Sequence, residues 1–170
     1  MKPIVTVVGL GPGDPALLTR RAEETLLQAE TLIMRTARHP AYRWLKDQAV
    51  ACETLDALYD EAEDFETLDR RAAQVVARRA QDGGLVYAVP GDGVTGDGTV
   101  DALRAAGVAL RVEPGVSDAS AALARCACET GEASAGLFTV PASLLGEAAF
   151  SERAPLLVTQ LDDAAQASQV

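Results

Sequence analysis

The sequence predicts an α/β fold with a mostly parallel sheet, and three features of its 170 residues support this. Short apolar runs rich in β-branched residues alternate with segments of helical periodicity. The apolar runs are continuous, as expected for strands that are buried on both faces. Several of the runs also end in glycine turns. This order of strands and helices is typical of a parallel sheet covered by helices.

The first predicted strand is residues 4–9, "IVTVVG", an apolar run that ends at glycine. Asp14 and Pro15 then supply an N-cap and a proline for the first turn of a helix. Apolar residues follow at helical spacing, at Leu18, Ala22, Leu26 and Ala29. Residues 31–34, "TLIM", predict the second strand, and a basic loop, "MRTARHPAYRWLK", follows.

A long helix is predicted next, and it ends at Gly83 and Gly84 because glycine favours helix termination. Its apolar face consists of Phe65, Leu68, Ala72, Val75, Val76 and Ala80. "LVYAVPGD" predicts a strand that runs into a glycine turn, and "TVDALRAAG" predicts a helix that ends at Gly107. "VALRVEPG" predicts another strand, and Ser117 is a candidate cap for the helix in "SDASAALARCACETG". A less regular segment precedes "APLLVTQLDDAAQASQV", a strand and the beginning of a helix.

The charge distribution disfavours nucleic acid as a partner. The formal net charge is −10, and eight acidic residues without a basic one lie from Glu53 to Asp69, so the surface field repels polyanions. The N-terminal apolar run is too short for a signal peptide, and no stretch approaches the roughly 20 apolar residues of a membrane span. We therefore expect a cytoplasmic protein without a membrane partner.

The glycine turns predict one ligand site. They are Gly9-Leu10-Gly11-Pro12-Gly13, Pro90-Gly91-Asp92-Gly93 and Pro114-Gly115. Each follows a predicted strand, and ligands of open parallel sheets bind at the carboxyl ends of the strands. A dinucleotide-binding turn, G-x-G-x-x-G, requires its third glycine where Asp14 stands, and a Walker A sequence is absent. NAD and FAD are therefore disfavoured, because the Asp14 carboxylate would face the pyrophosphate.

Four motifs occur in a family-specific order: "VVGLGPGDPALLT", "YAVPGDGVTGDGTV", "VEPGVSDASAALA" and the weaker "PLLVTQLDD". Together they resemble the tetrapyrrole methylases, S-adenosylmethionine-dependent methyltransferases that include corrin and uroporphyrinogen methylases and diphthine synthase. "LIMRTARHPAYRWL" and "LLVTQLDDAAQASQV" are most similar to the methylase-like half of bacterial proteins fused to a MazG-type nucleoside triphosphate pyrophosphohydrolase.

The resemblance implies a two-lobed α/β fold that binds S-adenosylmethionine between its lobes. We expect an N-terminal lobe over residues 1–113 and the start of a C-terminal lobe over residues 114–170, which lacks strands that the family has. Cofactor contacts carry over by position to Pro12, Pro90, Gly91, Asp92, Thr95, Ser117, Asp118 and Leu161. Methyl transfer from a sulfonium needs positioning rather than an enzyme nucleophile, so no catalytic residue is assigned. For Asp92, spacing alone equally allows an Asx-turn or a helix cap.

Arg35 departs from the resemblance. Porphyrinogen methylases carry an aspartate proposed as a proton acceptor after the second strand, whereas arginine cannot act as a base at neutral pH. Arg35, Arg38 and His39 follow the predicted second strand, so we expect them to bind an anionic methyl acceptor at the edge that holds the glycine turns. The alternative is that the arginines pair with the acids between Glu53 and Asp69.

Other functions stay open at this point. One is a non-catalytic or regulatory cofactor-binding domain, whose missing C-terminal part would be a MazG-type pyrophosphohydrolase. Such an enzyme needs two E-x-x-E pairs for magnesium, and Glu63 and Glu66 supply only one uninterrupted pair. We expect no metal site, since the acids near the second glycine turn have no histidine or cysteine beside them, and we expect a homodimer.

Overall fold

The computed structural model describes residues 4–125, 137–146, 156–159 and 161. The chain divides into two compact units, Met1–Asp118 and Ala119–Val170. The lobe boundary expected after residue 113 stays a prediction, as does the assignment of the two segments to lobes.

A five-stranded sheet forms the centre of the first unit. Its strands are β1 (Ile4–Gly9), β2 (Leu32–Met34), β3 (Glu53–Thr54), β4 (Leu85–Val89) and β5 (Ala109–Glu113). The strand order is β3-β2-β4-β1-β5, and all neighbouring strands are parallel. β1 lies between β4 and β5, with Val7 opposite Tyr87 on one side and Val112 on the other. The mostly parallel sheet is therefore confirmed.

Helices cover both faces of this sheet. They are α1 (Arg20–Leu27), α2 (Ala41–Asp47), α3 (Asp56–Glu61), α4 (Phe65–Arg79) and α5 (Gly98–Ala105). A further helix, α6 (Asp118–Arg125), begins at the last residue of the first unit and otherwise belongs to the second. On one face, Val7 and Tyr87 pack with residues of α4 and α5, and on the other face Val8 and Ala88 pack with residues of α1 and α2. Successive residues of β1 and β4 thus enter different cores, which explains their continuous apolar runs. Within the described part of the chain, no helix has the length and apolar character to cross a membrane.

The first helix begins later than the sequence predicts. Asp14 accepts a backbone N–H at 2.9 Å, but it caps only a short 3₁₀ turn, Pro15–Leu17. Leu18 is extended, and Thr19 begins α1 by accepting the N–H of Ala22 at 3.1 Å. Two capping side chains therefore stand close together, and the apolar spacing alone does not separate the elements that they start.

Two further predictions need correction. Phe65 was expected on the apolar face of the long helix, but it is the first residue of α4 and is 64% exposed, because the packed part of that helix begins with Leu68. The basic segment after β2 is only partly a loop, since it contains α2. The acidic stretch contains β3 and α3, neither of which has a long enough hydrophobic repeat to be predicted from the sequence.

The second unit contains two strands among its described residues, β6 (Phe138–Pro141) and β7 (Leu156–Thr159). They are parallel, with Val140 opposite Val158, and a 3₁₀ turn, Ala142–Leu144, follows β6. The strand predicted in "APLLVTQ" is therefore confirmed. The helix predicted at the end of the chain lies outside the described residues.

The start of α1 generates a stability prediction. Thr19→Ala removes the α1 cap and also a hydrogen bond from the threonine hydroxyl to the Pro114 carbonyl at 3.3 Å. We expect it to lower the free energy of unfolding by about 1–2 kcal/mol, measured by urea denaturation. The control, Asp14→Ala, removes an exposed cap of a single 3₁₀ turn and should cost less than about 0.5 kcal/mol. Equal effects of the two substitutions would contradict the observed helix start.

Candidate functional site

The three glycine turns meet at the carboxyl edge of the sheet. After β1 and β4, Gly11 and Gly91 exchange backbone hydrogen bonds of 2.9 and 3.0 Å, forming an isolated antiparallel bridge. The N–H of Gly115, after β5, donates to the Asp92 carbonyl at 3.1 Å. The structure therefore brings the three turns together as the sequence predicts, and backbone hydrogen bonds join them.

The glycines at this edge allow backbone segments to touch. A Cβ atom on Gly9 would lie 2.5 Å from the Asp92 carbonyl carbon and 2.6 Å from the Gly115 nitrogen. A Cβ atom on Gly115 would lie 2.5 Å from the Gly91 carbonyl oxygen. No side chain fits at these distances, since the neighbouring atoms are backbone. Gly9 and Gly115 are therefore required by the packing of the turns, before any ligand is considered.

Asp92 forms an Asx-turn. Its carboxylate accepts the backbone N–H groups of Val94 and Thr95 at 2.8 and 2.7 Å, and the Thr95 hydroxyl at 2.9 Å. Partial burial alone would raise the pKa of Asp92, but these hydrogen bonds together lower it below the usual value. Asp92 is therefore ionised at neutral pH. The Asx-turn that the sequence left open is present, while a contact with a cofactor stays a prediction.

His39 ties the segment after β2 to the first glycine turn. Its Nε2 atom lies 3.1 Å from the Gly11 carbonyl oxygen, and its Nδ1 atom accepts the N–H of Ala41 at 3.2 Å. This pair of contacts suits the neutral ring that is protonated on Nε2. Burial lowers the pKa of His39, although the Gly11 carbonyl and the charge of Asp118 oppose that shift. The ring is therefore a neutral connector rather than a cation.

Asp118 is the second carboxylate beside Gly91. Its Oδ2 atom lies 3.5 Å from the position that a Cβ atom on Gly91 would occupy. Loss of solvent raises the pKa of Asp118; the nearby His39 opposes this shift and the charge of Asp92 adds to it. Asp92 and Asp118 thus place negative charge on the side of the second glycine turn.

Arg35 has charged partners on the elements around it. Its Nη1 atom lies 2.9 Å from Asp69 Oδ1 and 3.1 Å from Asp97 Oδ2, and it donates to Thr99 Oγ1 at 2.9 Å. Its Nε atom donates to the Tyr59 hydroxyl at 3.0 Å. The Arg35 and Asp97 side chains are only 16% and 8% exposed, so both ions lie largely out of water.

The burial of this cluster shifts its pKa values. Burial alone would lower the pKa of Arg35, but nearby groups, led by Asp97, raise it above the usual value. Burial raises the pKa of Asp97 despite the opposing effect of Arg35. Tyr87 is completely buried nearby, and burial and the charge of Asp97 raise its pKa as well. Among the described residues, no group hydrogen-bonds the Tyr87 hydroxyl with normal geometry.

Arg35 therefore has the ion-paired arrangement that the sequence left as the alternative, since Asp69 belongs to the acidic stretch. Its role in binding an acceptor stays a prediction. Arg38 is exposed, and its charge helps to lower the pKa of Asp56, on which burial and the hydrogen bonds from Thr36 and Ala37 have larger effects. The Arg35 side chain is thus largely buried and ion-paired, whereas Arg38 is exposed at the surface.

The other predicted cofactor contacts are spread over both units. In the first unit, Pro12, Pro90 and Ser117 are half-buried, and Thr95 is exposed beside Asp92. Leu161 belongs to the second unit and is 45% exposed. The contact of each residue with a cofactor stays a prediction, and so does the capping role of Ser117.

Sequence reasoning named the acidic stretch that contains Asp69 as the alternative partner of Arg35, but it missed Asp97. Asp69 lies 34 and Asp97 lies 62 positions further along the chain. One local signal was present, since Asp97 precedes a helical segment and accepts the N–H of Val100 at 2.9 Å as its N-cap. That signal predicts the cap but not the ion pair. No group of three metal-ligating side chains with metal-site geometry occurs among the described residues.

The chemistry available at this edge is binding and orientation. The turns supply backbone that is held by hydrogen bonds between them, and Asp92 supplies a negative charge that is held by its Asx-turn. Both ring nitrogens of His39 already have hydrogen-bond partners. Arg35 cannot accept a proton at neutral pH. Such a set suits a reaction that depends on positioning two reactants rather than on an enzyme nucleophile.

The sequence is similar to a known protein family and to individual proteins. The sequence model of the tetrapyrrole (corrin/porphyrin) methylases matches residues 5–167. The uncharacterised protein YabN of Bacillus subtilis (strain 168) is 34% identical over 99 residues, which are 58% of this chain and 20% of YabN. The siroheme synthase of Psychrobacter sp. (strain PRwf-1) is 33% identical over 140 residues, 75% of this chain and 26% of that protein. The chain thus spans about a quarter or less of the length of these relatives.

A solved structure supports the same relationship. Uroporphyrin-III-C-methyltransferase from Thermus thermophilus superimposes with a TM-score of 0.62 and 25% identity. The alignment covers 93% of this chain and 68% of that protein. The predicted family fold is therefore confirmed.

The packing of the turns predicts a steep cost for a methyl group at Gly9. Gly9→Ala should lower the free energy of unfolding by about 2 kcal/mol or more, because its Cβ atom would meet three backbone atoms. Gly84→Ala is the control, since nothing lies within 4 Å of its Cβ position. It should leave stability unchanged or raise it by about 0.4–1 kcal/mol. Urea denaturation measures both, and a neutral Gly9→Ala would contradict the contact.

His39 is the only histidine, so its titration can be followed without ambiguity by NMR. Its pKa should lie below 6.5, because burial disfavours the charged ring. The stability that it contributes is present above pH 6.5 and is lost as the pH falls from there through the folded-state pKa. Asp118→Asn should lower the pKa of His39 further, because it removes a charge that raises it. A midpoint at or above 6.5 in the wild-type protein would contradict the buried neutral ring.

Proposed function

Because the chain belongs to the tetrapyrrole methylase family, whose members use S-adenosylmethionine as methyl donor, we propose that it is an S-adenosylmethionine-dependent methyltransferase domain. The observation that carries the proposal is the junction of three glycine turns at the carboxyl edge of a parallel sheet, with Asp92 held beside it. The similarity to uroporphyrin-III-C-methyltransferase supports methyl transfer as the reaction class.

The proposed cofactor contacts are Pro12, Pro90, Gly91, Asp92, Thr95, Ser117, Asp118 and Leu161. These residues suit the cofactor in charge. The ammonium and sulfonium groups of S-adenosylmethionine are cationic, and the carboxylates of Asp92 and Asp118 both lie close to Gly91. When bound, S-adenosylmethionine supplies an activated methyl group. The residues of the chain bind and orient: the glycine turns fix the backbone, and the Asx-turn holds the Asp92 carboxylate in one direction.

The proposed methyl acceptor is a small molecule, and we propose that an anionic group of it binds at the segment after β2. Arg38 is the candidate for that contact with the strongest support, because it is exposed at this segment. His39 would orient the segment through its bond to Gly11. Arg35 is the weaker candidate, since two carboxylates already occupy its guanidinium group.

A second candidate is a non-catalytic or regulatory cofactor-binding domain, in a protein that also carries a MazG-type pyrophosphohydrolase. The specific observation in its favour is that the guanidinium group of Arg35, at a position where the resemblance implies a carboxylate, is ion-paired with Asp69 and Asp97. Both candidates share cofactor binding and differ in turnover. In either case we propose a cytoplasmic homodimer, and the net charge of −10 disfavours nucleic acid.

Calorimetric titration tests the cofactor. S-adenosylmethionine and S-adenosylhomocysteine should bind to the folded protein, and NAD should not, because Asp14 stands where a dinucleotide site needs glycine. Asp92→Ala should weaken S-adenosylhomocysteine binding by about 1.5–3 kcal/mol, the value of a charged hydrogen bond. Asp64→Ala is the matched control, since Asp64 also caps a neighbouring N–H but lies at the start of α4.

Three outcomes would change the conclusion. Absence of binding by both S-adenosyl compounds in a folded sample would remove the methyltransferase proposal. Loss of stability in Asp92→Ala with unchanged affinity would make Asp92 a structural residue only. Binding without methyl transfer to any of a panel of anionic acceptors would favour the non-catalytic candidate.

A further inference from the structure

Residues 90–97, here called the second glycine loop, carry Asp92 and need restraint at both ends. Gly91, Gly93 and Gly96 all have left-handed backbone conformations, with φ of 71°, 78° and 74°. Glycine gives the loop this shape but also allows many other conformations in the absence of fixed ends. The direction of the Asp92 carboxylate therefore depends on what holds the loop.

The first end of the second glycine loop is held by backbone. Gly91 is paired with Gly11 in both directions, and the Asp92 carbonyl accepts the N–H of Gly115. These bonds fix the residues next to β4. They do not reach the exposed middle of the loop, Val94 to Gly96.

The second end is held by Arg35 through Asp97. The Oδ1 atom of Asp97 caps α5 by accepting the N–H of Val100, and the Oδ2 atom accepts a hydrogen bond from Arg35. The two oxygens therefore have different partners. The backbone N–H of Arg35 donates to the Ala88 carbonyl at 2.9 Å, which fixes the arginine to β4 just before the loop begins. Arg35 thus connects the strand that enters the loop to the residue that ends it.

The carboxylate of Asp69 packs closely beside the Arg35–Asp97 pair. A Cβ atom on Gly98 would lie 2.0 Å from Asp69 Oδ2, so the carboxylate of Asp69 fills the space beside the first residue of α5. Asp69 also accepts the Thr99 hydroxyl at 2.8 Å and contacts Arg35. Because the ions are largely buried, their attraction is screened less than that of a surface pair.

We propose that Arg35 is a positioning residue of the cofactor site: by holding Asp97, it fixes the second glycine loop in the conformation that presents Asp92. The proposal rests on the proposed function, because it concerns the binding of the same cofactor. It gives Arg35 a role through Asp97 rather than through contact with either reactant. The guanidinium group suits this role because its several donors serve Asp97, Asp69 and Tyr59 at once.

The main test variant is Asp97→Asn. Its amide oxygen can still accept the Val100 N–H, but its amide nitrogen then faces the Arg35 donor, so the cap is kept and the ion pair is lost. Arg35→Lys keeps a positive charge and serves as the conservative rescue. Asp101→Asn is the control, because it breaks an exposed pair with Arg104 on the same helix. Asp97→Ser, which can cap but cannot reach Arg35, replaces the main variant if that variant does not fold.

Two measurements decide the proposal. Without ligand, amide hydrogen exchange of Gly93, Val94 and Thr95 should accelerate about tenfold or more in Asp97→Asn, with the β1 and β4 amides unchanged. The affinity for S-adenosylhomocysteine should fall about tenfold in Asp97→Asn and about threefold or less in Arg35→Lys, and it should stay within about twofold in Asp101→Asn. A purely structural role would instead accelerate exchange throughout the sheet.

The outcomes separate this proposal from the function on which it rests. Unchanged loop exchange and unchanged affinity in Asp97→Asn, with a wild-type protein that binds, would overturn the positioning role and leave the methyltransferase proposal intact. A folded wild-type protein that does not bind S-adenosylhomocysteine would overturn both the cofactor assignment and the positioning role. Equal loss of affinity in Asp101→Asn would also overturn the proposal, since the effect would then not depend on Arg35.

Discussion

The direct backbone contact among the three glycine turns is the constraint on which the rest of the site depends. Gly9 touches the backbone of Asp92 and Gly115, and Gly115 touches that of Gly91. These contacts exist only because β1 lies between β4 and β5, so that the chain leaves three adjacent strands at the same edge. Side chains are excluded at the junction, and the polar groups must therefore stand around it rather than within it.

The segment after β2 supports the junction from one side with two different interactions. His39 contacts the first glycine turn at the Gly11 carbonyl through a neutral ring, and Arg35 contacts Asp97, the last residue of the second glycine loop, through a buried ion pair. Removing one partner of a buried pair leaves an uncompensated charge, which is far more costly than removing both. The segment is therefore energetically coupled to both turns, although it contributes little to the hydrophobic core beyond α2.

This coupling assigns Arg35 a role within the protein, whereas its position in the sequence suggests a role in binding an anionic ligand. A basic segment that begins with Arg35 at a strand end, in a protein of net charge −10, predicts a site for an anion. In the structure, two carboxylates from α4 and from the start of α5 already fill that role. The family relationship then accounts for the fold, while the charge cluster after β2 bears on how the loops of this chain are held.

The sequence by itself determined the parallel sheet, the strands β1, β4 and β5, and the glycine turns behind them, because continuous apolar runs and glycines are local signals of buried strands and left-handed turns. It also determined that α5 ends before Gly107, whose φ is 72°. Only the tertiary structure decided the strand order, the two-residue strand β3, the exposure of Phe65 and the partners of Arg35. Local patterns encode backbone conformation and burial, whereas the pairing of Arg35 with Asp97, 62 positions away, requires that the sheet first bring β2 and the end of the second glycine loop together.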